Sequence, residues 1–385
     1  MNEKNTQNVI PNVSSKKKEE RNVPDLRFKF NSEWGKENIG NLIERTGKKA
    51  KKDELKYTPY SITNTDGFVI QSDNWEGGSY VQASKEGYKL IYNNEIAYNP
   101  ARINVGSIGY FDKNVGIISS LYVCFKTKNK LHSKYLYHFM KSNIFRKIVM
   151  KRQEGGVRDY FFYENLCGVK ISYPIIEEQE KIVSFLELIN ERIYTQKKII
   201  SKYESLIFLI YNELLSNKTN EKLGNICEIK KGTQLNTDSF DSTGEYPVIN
   251  GGINISGYTT SYNCKNMITI SEGGNSCGFV NYLKNEFWSG GHNYTLKKKT
   301  EFNYEYLYHY LKFKEKSIMS LRVGSGLPNI QKPVLQNFPV YLPDIRIQNK
   351  YACILDAILE KIKIEKGILT LYIKEKEYLL NKLFI

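Results

Sequence analysis

The clearest pattern along this chain is a stripe of apolar residues in its middle. After Pro174 the apolar positions alternate at spacings of four and three, and Gln196 is the only residue that breaks the stripe. The stripe consists of Ile182, Leu186, Ile189, Ile193, Ile200, Tyr203, Ile207, Ile210 and Leu214. This spacing is typical of the a and d positions of a coiled coil, so it predicts one long helix with a helical partner.

A second stripe of the same kind occupies the C-terminal part of the chain. Its members are Tyr351, Leu355, Ile358, Ile362, Leu369, Tyr372, Leu379 and Leu383. Glu365 stands at the place of Gln196, and Lys376 replaces Ile207, so the second stripe is poorer near its end. Gly367 costs this helix roughly 1 kcal/mol relative to alanine.

Both stripes belong to a repeat that includes most of the chain. The segment Tyr173–Ile182 returns as Leu342–Tyr351, an offset of 169 residues. Upstream, Tyr135–Phe139 returns as Tyr306–Tyr310. A repeat of this length is too long for a solenoid. We therefore predict two copies of one unit, each a globular domain followed by a long helix.

Connectivity predicts how the two helices meet. The first domain enters the first helix at its N-terminus, and only a short linker separates the end of that helix from the second domain. The second helix must run back along the first to bury its stripe, so we expect an antiparallel pair. Some 40 residues at about 1.5 Å each correspond to a rod of roughly 60 Å. An ordinary long helical hairpin packed on a core is the alternative interpretation.

The expected organisation has five segments. They are a disordered basic tail (1–23), a first globular domain (24–173), a central spacer helix (174–221), a second globular domain (222–342) and a distal spacer helix (343–385). Within the domains, the pattern predicts strands at Phe68–Ile70, Tyr88–Tyr92, Ser120–Phe125, Tyr246–Ile249, Met267–Ile270 and Tyr294–Leu296, and helices near His132–Met150 and Tyr304–Ser320. The predicted fold class is α+β or α/β, with two globular domains separated by two long antiparallel coiled-coil helices in a pseudo-two-fold repeat.

The net charge is concentrated outside the two predicted helices. Lys and Arg number 56 against 41 Asp and Glu, a surplus of +15. Residues 174–216 sum to −2 and residues 343–385 to +2, so the remaining residues hold the whole surplus. Such a surplus favours nucleic acid as a partner before an anionic membrane surface. If nucleic acid binds, we expect the globular domains to hold it.

Cysteine content and hydropathy indicate the redox environment of the chain and whether it enters a membrane. Six scattered cysteines form no CxxC pair, which argues against a thiolate zinc site or a disulfide framework and fits a reduced cytoplasm. No apolar run is long enough to span a membrane, and the first residues lack the apolar core of a signal peptide. We expect a cytoplasmic protein without a membrane partner.

Basic residues supply the candidate DNA contacts. Lysine-rich segments suit phosphate contacts, although most such runs are solvated surfaces, and isolated arginines beside glycines suit the reading of guanine. The phosphate candidates are Lys48, Lys49, Lys51, Lys52, Lys151, Arg152, Lys230 and Lys231, and the base-reading candidates are Arg102, Arg158 and Arg322. Glycine clusters recur beside them, at 106–109, 155–156, 273–278 and 324–326, and are either turns or places where the backbone approaches a phosphate.

Residues for catalysis are missing from the sequence pattern. The chain has no Pro-Pro dipeptide, and so no NPPY-type motif of an adenine methylase, and no GxxxxGK[ST] motif for nucleotide binding. Glu54-Leu55-Lys56 and Glu228-Ile229-Lys230 have the ExK shape of a nuclease motif, but chance supplies such triplets in a chain rich in Lys and Glu. His138 and His309 occupy matching helical places, where packing is the expected role. We predict no catalytic residue, metal site or cofactor in this chain.

Besides the order of domain, helix, domain and helix along the chain, three sequence motifs are informative. They are the segment Asn99–Gly109, the expected strand Ser119–Val123, and two helix starts that carry Pro174 with Gln179 and Pro343 with Gln348. Together they resemble the specificity subunit of type I restriction–modification systems. The resemblance covers about residues 24–385, and the long charged N-terminal tail and the weaker distal stripe depart from it.

The resemblance implies a division of tasks within a complex. Each target-recognition domain would read one half of a bipartite, asymmetric site on double-stranded DNA, and the helices would set the unread gap. The helices would also dock two modification subunits, which methylate adenine with S-adenosylmethionine. Restriction subunits that use ATP and Mg²⁺ would complete a system for phage defence. Two alternatives stay open at this point, a stand-alone DNA-modifying enzyme and a basic coiled-coil adaptor.

Overall fold

The computed structural model describes residues 23–71, 85–152, 160–216, 218–236, 240, 241, 243–324 and 326–385. The predicted tail therefore lies outside the described residues except for its last residue, Val23. Contacts group the described chain into two compact units. Unit 1 comprises the residues up to 194 together with 370–385, and unit 2 comprises 195–369. The division passes through both long helices, and the predicted domain boundaries stay predictions.

The first half of the chain forms short strands and ends in a long helix. The strands are β1 (Gly35–Asn38), β2 (Ile43–Arg45), β3 (Pro59–Thr63), β4 (Gly67–Ile70), β5 (Lys89–Tyr92), β6 (Ile96–Tyr98), β7 (Ile108–Tyr110), β8 (Val115–Ile118), β9 (Val123–Thr127) and β10 (Lys170–Tyr173). The helices are α1 (Ile39–Leu42), α2 (Ser133–Met140), α3 (Asn143–Arg152), α4 (Tyr163–Cys167) and α5 (Ile176–Ser216). Two four-stranded sheets run in the orders β2-β9-β6-β7 and β4-β3-β8-β5, and β1 pairs with β10.

The second half repeats this order of elements. Its strands are β11 (Glu221–Lys222), β12 (Cys227–Lys231), β13 (Tyr246–Ile249), β14 (Gly257–Thr259), β15 (Cys264–Ser271), β16 (Val280–Ser289), β17 (Asn293–Lys298) and β18 (Pro339–Val340). Its helices are α6 (Leu223–Ile226), α7 (Tyr304–Phe313), α8 (Glu315–Met319), α9 (Lys332–Gln336) and α10 (Ile345–Lys382). One six-stranded sheet runs in the order β12-β17-β15-β16-β13-β14. The predicted fold class, mixed helix and sheet with two long helices, is confirmed.

Three predicted elements were wrong in detail. Residues 119–122 form a turn before β9 and not the start of a strand, because Tyr122 turns inward and its hydroxyl accepts a hydrogen bond from the Ile62 amide. The helix expected over His132–Met150 is two helices, α2 and α3. Between them Ser142 Oγ donates to the Phe139 carbonyl, which ends α2. The helix expected over Tyr304–Ser320 is likewise interrupted, at Lys314 between α7 and α8.

In unit 1, the start of α5 and the end of α10 share one hydrophobic core with the sheet. Leu186 of α5 and Leu383, the residue after α10, are fully buried in this core. The ring of Phe384, just beyond α10, lies with its centroid 5.1 Å from that of Tyr135 and 5.9 Å from that of Phe139, both on α2. The core of unit 1 is therefore completed by the last turns of the chain.

In unit 2, the remaining parts of α5 and α10 run antiparallel. The Gln196 amide donates to the Glu365 carbonyl over 3.2 Å, and the Tyr351 hydroxyl donates to the Glu213 carboxylate over 3.0 Å. As the residue number rises along α5, the number of the contacting residue on α10 falls, so the two helices are antiparallel. Gln196 and Glu365 occupy equivalent places in the repeat and contact each other, the arrangement of two helices related by a two-fold axis.

The seam residues lie where the stripe pattern predicts. None of the fifteen named interface candidates is exposed. Buried members are Ile182, Leu186, Ile189, Ile200, Leu214, Leu355, Ile358 and Ile362, and half-buried members are Ile193, Tyr203, Ile207, Ile210, Tyr351, Leu369 and Tyr372. Their role as a helix–helix or subunit interface stays a prediction.

A buried glutamine joins each globular part to its long helix. In unit 1, Gln179 accepts a hydrogen bond from the His132 amide over 2.8 Å and donates to the Pro174 carbonyl over 2.8 Å. In unit 2, Gln348 accepts from the Asn303 amide over 2.9 Å and donates to the Pro343 carbonyl over 2.7 Å. At each Pro–Gln helix start, the glutamine therefore joins the segment before α2 or α7 to the long helix through hydrogen bonds.

A buried histidine adds a second contact of the same kind. His138 Nε2 lies 3.0 Å from the Glu187 carboxylate, and His309 Nε2 lies 2.8 Å from the Asp356 carboxylate. Burial lowers the pKa of both imidazoles. The hydrogen bonds from His138 and Lys134 lower the pKa of Glu187 to about 2. The predicted packing role of the two histidines thus includes a polar link from α2 or α7 to the long helix.

We predict that Leu186→Ala lowers the free energy of unfolding by about 2–5 kcal/mol, because it leaves a cavity in the core of unit 1. Leu188→Ala, two residues away with a side chain that is 58% exposed, is the matched control and should change stability by less than about 0.5 kcal/mol. Chemical denaturation followed by circular dichroism measures both. Equal effects of the two substitutions would contradict the assignment of the buried seam.

Candidate nucleic-acid interface

All candidate DNA-binding residues that the structure describes are exposed, namely Lys48, Lys49, Lys51, Lys52, Arg102, Lys151, Arg152, Lys230, Lys231 and Arg322. Arg158 and the glycines at 155–156 lie outside the described residues. Some of these side chains extend freely from the surface, and others have partners within the protein.

In unit 1, Arg102 extends from a loop that the backbone holds rigid. The Asn99 side chain accepts from the Ala101 amide over 3.0 Å, and the Arg102 amide donates to the Asn99 carbonyl over 3.0 Å. Gly106 closes the loop with a φ of +89°, which favours glycine. The positive charge of Arg102 also opposes the rise in the pKa of Tyr122 that burial causes, so Arg102 lies near the turn before β9. This loop places the Arg102 side chain at the surface of unit 1.

Two exposed aromatic rings lie beside the Arg102 loop, and the sequence analysis missed them. The Phe161 amide donates to the Pro100 carbonyl over 3.1 Å and so ties the segment to the loop. On either side of it, the rings of Tyr160 and Phe162 stack with centroids 5.4 Å apart and an interplanar angle of 11°. Flat exposed rings suit apolar contact with bases or sugars. The alternation of aromatic residues after a Gly-rich segment was the available signal.

The four lysines of 48–52 form an exposed basic rim. Backbone hydrogen bonds from Leu90 to Lys48 and from Ala50 to Tyr88 lay this segment along β5. Lys89 of β5 donates to the Tyr122 carbonyl over 2.7 Å and so connects the rim with the turn near Arg102. Burial lowers the pKa of Lys89. The lysine rim therefore lies along β5, whose Lys89 contacts the turn before β9.

Arg152 has a structural task that the sequence did not reveal. Its guanidinium donates to the carbonyl oxygens of Asn165 and Gly168, both over 2.9 Å, and thereby caps the end of α4. Two of its donors are thus used within the protein. Lys151, its neighbour at the end of α3, is exposed.

In unit 2, the two glycine-rich segments singled out in the sequence meet. The Gly274 amide donates to the Pro328 carbonyl over 3.0 Å, and Gly324 has a φ of +99°. Arg322 is exposed where this loop leaves α8, and Leu327 at its tip is 85% exposed. The sequence analysis did not predict the high exposure of Leu327, although the position of this residue between Gly326 and Pro328 indicates a loop tip.

Lys230 and Lys231 lie on the edge strand β12 of the same unit. Lys230 pairs with Glu228 at 3.3 Å and Lys231 with Glu272 at 2.7 Å. The Lys230–Glu228 pair is exposed and pairs of this kind are weak, so Lys230 can exchange its partner for a phosphate group. The Glu272 carboxylate is largely buried and also accepts a hydrogen bond from the Tyr294 hydroxyl.

The described residues contain no cluster of three or more His, Cys, Asp or Glu side chains that could hold a metal ion. The carboxylate of Glu54 accepts from the Lys51 amide over 2.7 Å, and Glu228 pairs with Lys230, so both ExK triplets have local structural partners. In the same described part of the chain, no helix is long and apolar enough to cross a bilayer.

A family model for the type I restriction modification DNA specificity domain matches the chain twice, over residues 31–204 and 216–371. A protein of Mycoplasma pneumoniae named as a type I specificity subunit is 36% identical over 130 residues, which are 33% of this chain and 34% of that protein. One of Mycoplasma genitalium with the same description is 27% identical over 172 residues, 44% of this chain and 45% of that protein. The matched segments thus span less than half of these two relatives.

Solved structures share the fold over nearly the whole chain. The crystal structure of a type I restriction–modification S subunit from M. genitalium superimposes with a TM-score of 0.65 at 20% identity, covering 94% of this chain and 99% of that one. A chain from a structural study of type I complex assembly superimposes with a TM-score of 0.56 at 14% identity, covering 91% and 97% of the two chains.

We predict that two sets of substitutions in unit 1 weaken DNA binding with different dependence on the DNA sequence. Lys48→Ala combined with Lys49→Ala should weaken binding to every sequence and reduce the slope of log K against log salt by about 1–2, since each lost phosphate contact removes about 0.9. Arg102→Ala should weaken binding only to the cognate sequence, by about 1–3 kcal/mol. Fluorescence anisotropy over a salt series measures both. An Arg102→Ala effect that is equal on unrelated DNA would contradict its base-reading role.

Proposed function

Because the chain belongs to the family of type I restriction modification DNA specificity domains, we propose that it is the subunit that selects the DNA target of a type I restriction–modification complex. It is not an enzyme by itself. The observation that supports the proposal is that each of the two units combines exposed basic residues with segments of the two long helices.

The two faces are different enough to read different sequences. Unit 1 presents Arg102 beside the stacked rings of Tyr160 and Phe162, whereas unit 2 presents Arg322 beside Leu327. Base contacts specify a sequence and phosphate contacts position the protein. We therefore infer that each unit reads one half of a bipartite, asymmetric site on double-stranded DNA.

The long helices are proposed to set the unread gap and to dock two modification subunits. Away from the buried seam they carry large exposed apolar side chains, each between 57% and 65% exposed: Leu188, Tyr194, Phe208, Leu209, Leu371 and Tyr378. Apolar groups this exposed on a helix favour a protein partner. S-adenosylmethionine would then belong to the modification subunits, and ATP and Mg²⁺ to restriction subunits.

The two alternatives receive less support from the structure. A stand-alone DNA-modifying enzyme needs a catalytic cluster, and the described residues offer no metal-binding group for one. A coiled-coil adaptor with incidental charge does not account for the family match, which covers both globular parts.

The first test is genome-wide mapping of adenine methylation after co-expression of this chain with a type I modification subunit. We expect methylation at one split motif with a fixed gap. In cells with Arg102→Ala, only one half of the motif should change. Methylation without a split motif, from a complex shown to assemble, would contradict the proposal.

The second test changes the length of the helical pair. Seven residues added to α5 after Ser201 and to α10 at the opposite position keep the seam in register, because seven residues are one heptad. They lengthen the pair by about 10.5 Å at 1.5 Å per residue. We expect the unread gap to grow by about three base pairs, at 3.4 Å each. A replaced heptad of unchanged length is the control, and an unaltered gap in the longer variant would contradict the spacing role.

A further inference from the structure

A short hairpin of unit 2, residues 323–329, carries the most exposed large apolar side chain in the described part of the chain. Leu327 lies at the tip of this hairpin and is 85% exposed, and Val323 at its base is also exposed. Single apolar side chains at a protein surface are common and need no function. Leu327 differs from them in how firmly its loop is held and in the charges around it.

Backbone hydrogen bonds hold the base of the hairpin in one conformation. Val323 and Asn329 exchange two of them, with 2.9 and 3.0 Å between amide nitrogen and carbonyl oxygen. The amide of Ile330, the next residue, donates to the Glu272 carbonyl over 2.8 Å, and the Tyr294 hydroxyl donates to the Ile330 carbonyl over 3.1 Å. A loop fixed in this way loses little conformational entropy when its tip binds a ligand.

The tip of the hairpin is open to a large ligand. Leu327 stands between Gly326 and Pro328. Apart from the neighbours of Gly326 in the chain, no atom of the described residues lies within 4 Å of the place that a Cβ atom on this glycine would take. An extended ligand can therefore reach Leu327 without displacing the described parts of unit 2.

The charges around the hairpin favour DNA as that ligand. Within residues 271–279 and 316–332, one acid stands against three exposed basic residues, a sum of +2; the basic residues are Lys316, Arg322 and Lys332. The acid, Glu272, already pairs with Lys231 at 2.7 Å. The positive charge of Arg322 opposes the rise in the pKa of Cys277 that burial causes, so Arg322 lies near the turn between β15 and β16. Basic groups around an apolar tip suit the phosphates on either side of a DNA groove.

The chemistry of leucine limits what the tip can read. An aliphatic side chain neither donates nor accepts a hydrogen bond, so it distinguishes base pairs only through apolar contact. In the major groove, the apolar group on the base edges is the C5 methyl group of thymine. A leucine at the tip of a fixed loop therefore favours a T·A pair over the other pairs.

The repeat indicates that the fold does not require leucine at this place. The helices α4 and α9 match at an offset of 169 residues, and so do Phe161 and Ile330, which are buried just before them. The same offset pairs Leu327 with Arg158, which itself lies outside the described residues. An exposed position whose residue type differs between the two halves of the sequence can give the two halves different base preferences.

We propose that Leu327 is a specificity-determining residue of unit 2, whose side chain contacts the C5 methyl group of a thymine in the major groove and so selects a T·A pair at one position of the half-site. This inference rests on the proposed function, in which unit 2 reads one half of the DNA site. The basic residues around the hairpin position the tip in the groove through phosphate contacts, which carry no sequence information themselves.

Replacement of thymine by deoxyuridine tests this inference, because deoxyuridine lacks the C5 methyl group and keeps the hydrogen-bonding groups. The full-length chain, assembled with modification subunits, is titrated by fluorescence anisotropy with duplexes that carry the split motif found by methylation mapping. Each thymine is replaced in turn. For the wild type, one thymine in the half that Arg102→Ala leaves unchanged should be sensitive, with affinity falling about fourfold, the effect of one buried methyl group.

Leu327→Ala is the matching variant. It should bind the thymine duplex as weakly as the wild type binds the sensitive deoxyuridine duplex, and it should lose nothing further on deoxyuridine, because either change removes the same contact. The substitution should leave the circular dichroism spectrum unchanged, since the side chain is exposed. Ile253→Ala, which shortens another exposed apolar side chain of unit 2, is the control and should keep the sensitivity of the wild type.

The possible outcomes separate this inference from the proposed function. If Leu327→Ala keeps the sensitivity of the wild type at every thymine, or if that half of the motif specifies no T·A pair, the inference is overturned and the proposed function stands. If Leu327→Ala lowers the number of bound modification subunits and leaves base discrimination unchanged, the tip binds protein and the inference is likewise overturned. If the assembled wild-type complex recognises no split motif, the proposed function fails, and this inference with it.

Discussion

Each unit completes its hydrophobic core with a helical segment from a distant part of the chain, and the rest of the structure depends on this exchange. In unit 1, Phe384 packs against Tyr135 and Phe139, which precede it by more than two hundred residues. In unit 2, Tyr211 of α5 stacks on Phe313 of α7 at 4.3 Å between ring centroids. Truncation of a large buried aromatic residue costs about 3–5 kcal/mol. The long helices are therefore parts of the two cores as well as connectors, and neither globular part keeps its packing without them.

Directional polar contacts then fix how each globular part sits on its helical segment. Apolar packing tolerates small rotations, whereas the Gln179 and Gln348 amides must satisfy particular carbonyl and amide groups. A buried polar group left without its partner costs about 1–3 kcal/mol. His138 with Glu187 and His309 with Asp356 add a second fixed point in each unit. Two such points set an angle, which a protein that reads bases at a defined distance requires.

The seam was predictable because its information is local and periodic. Spacings of four and three residues identify the buried stripe directly from the sequence, and even the polar break has a structural meaning, since Gln196 meets Glu365. Elements that depend on distant contacts were not predictable. The turn before β9 depends on the Ile62 amide, which donates a hydrogen bond to the hydroxyl of the inward Tyr122, and Arg152 needs the end of α4 as its acceptor.

The candidate DNA face was predictable in residue type and only partly in assembly. The composition predicts that lysines and arginines are exposed. It does not predict that residues 48–52 pack along β5 or that Lys89 donates to the Tyr122 carbonyl, because both depend on tertiary contacts. A comparison of matching positions in the repeat finds Lys134 against Glu305 and reports a difference. The structure gives each of these charges an opposite partner, Glu187 for Lys134 at 2.8 Å and Lys284 for Glu305 at 3.2 Å, and neither partner could be assigned from the sequence.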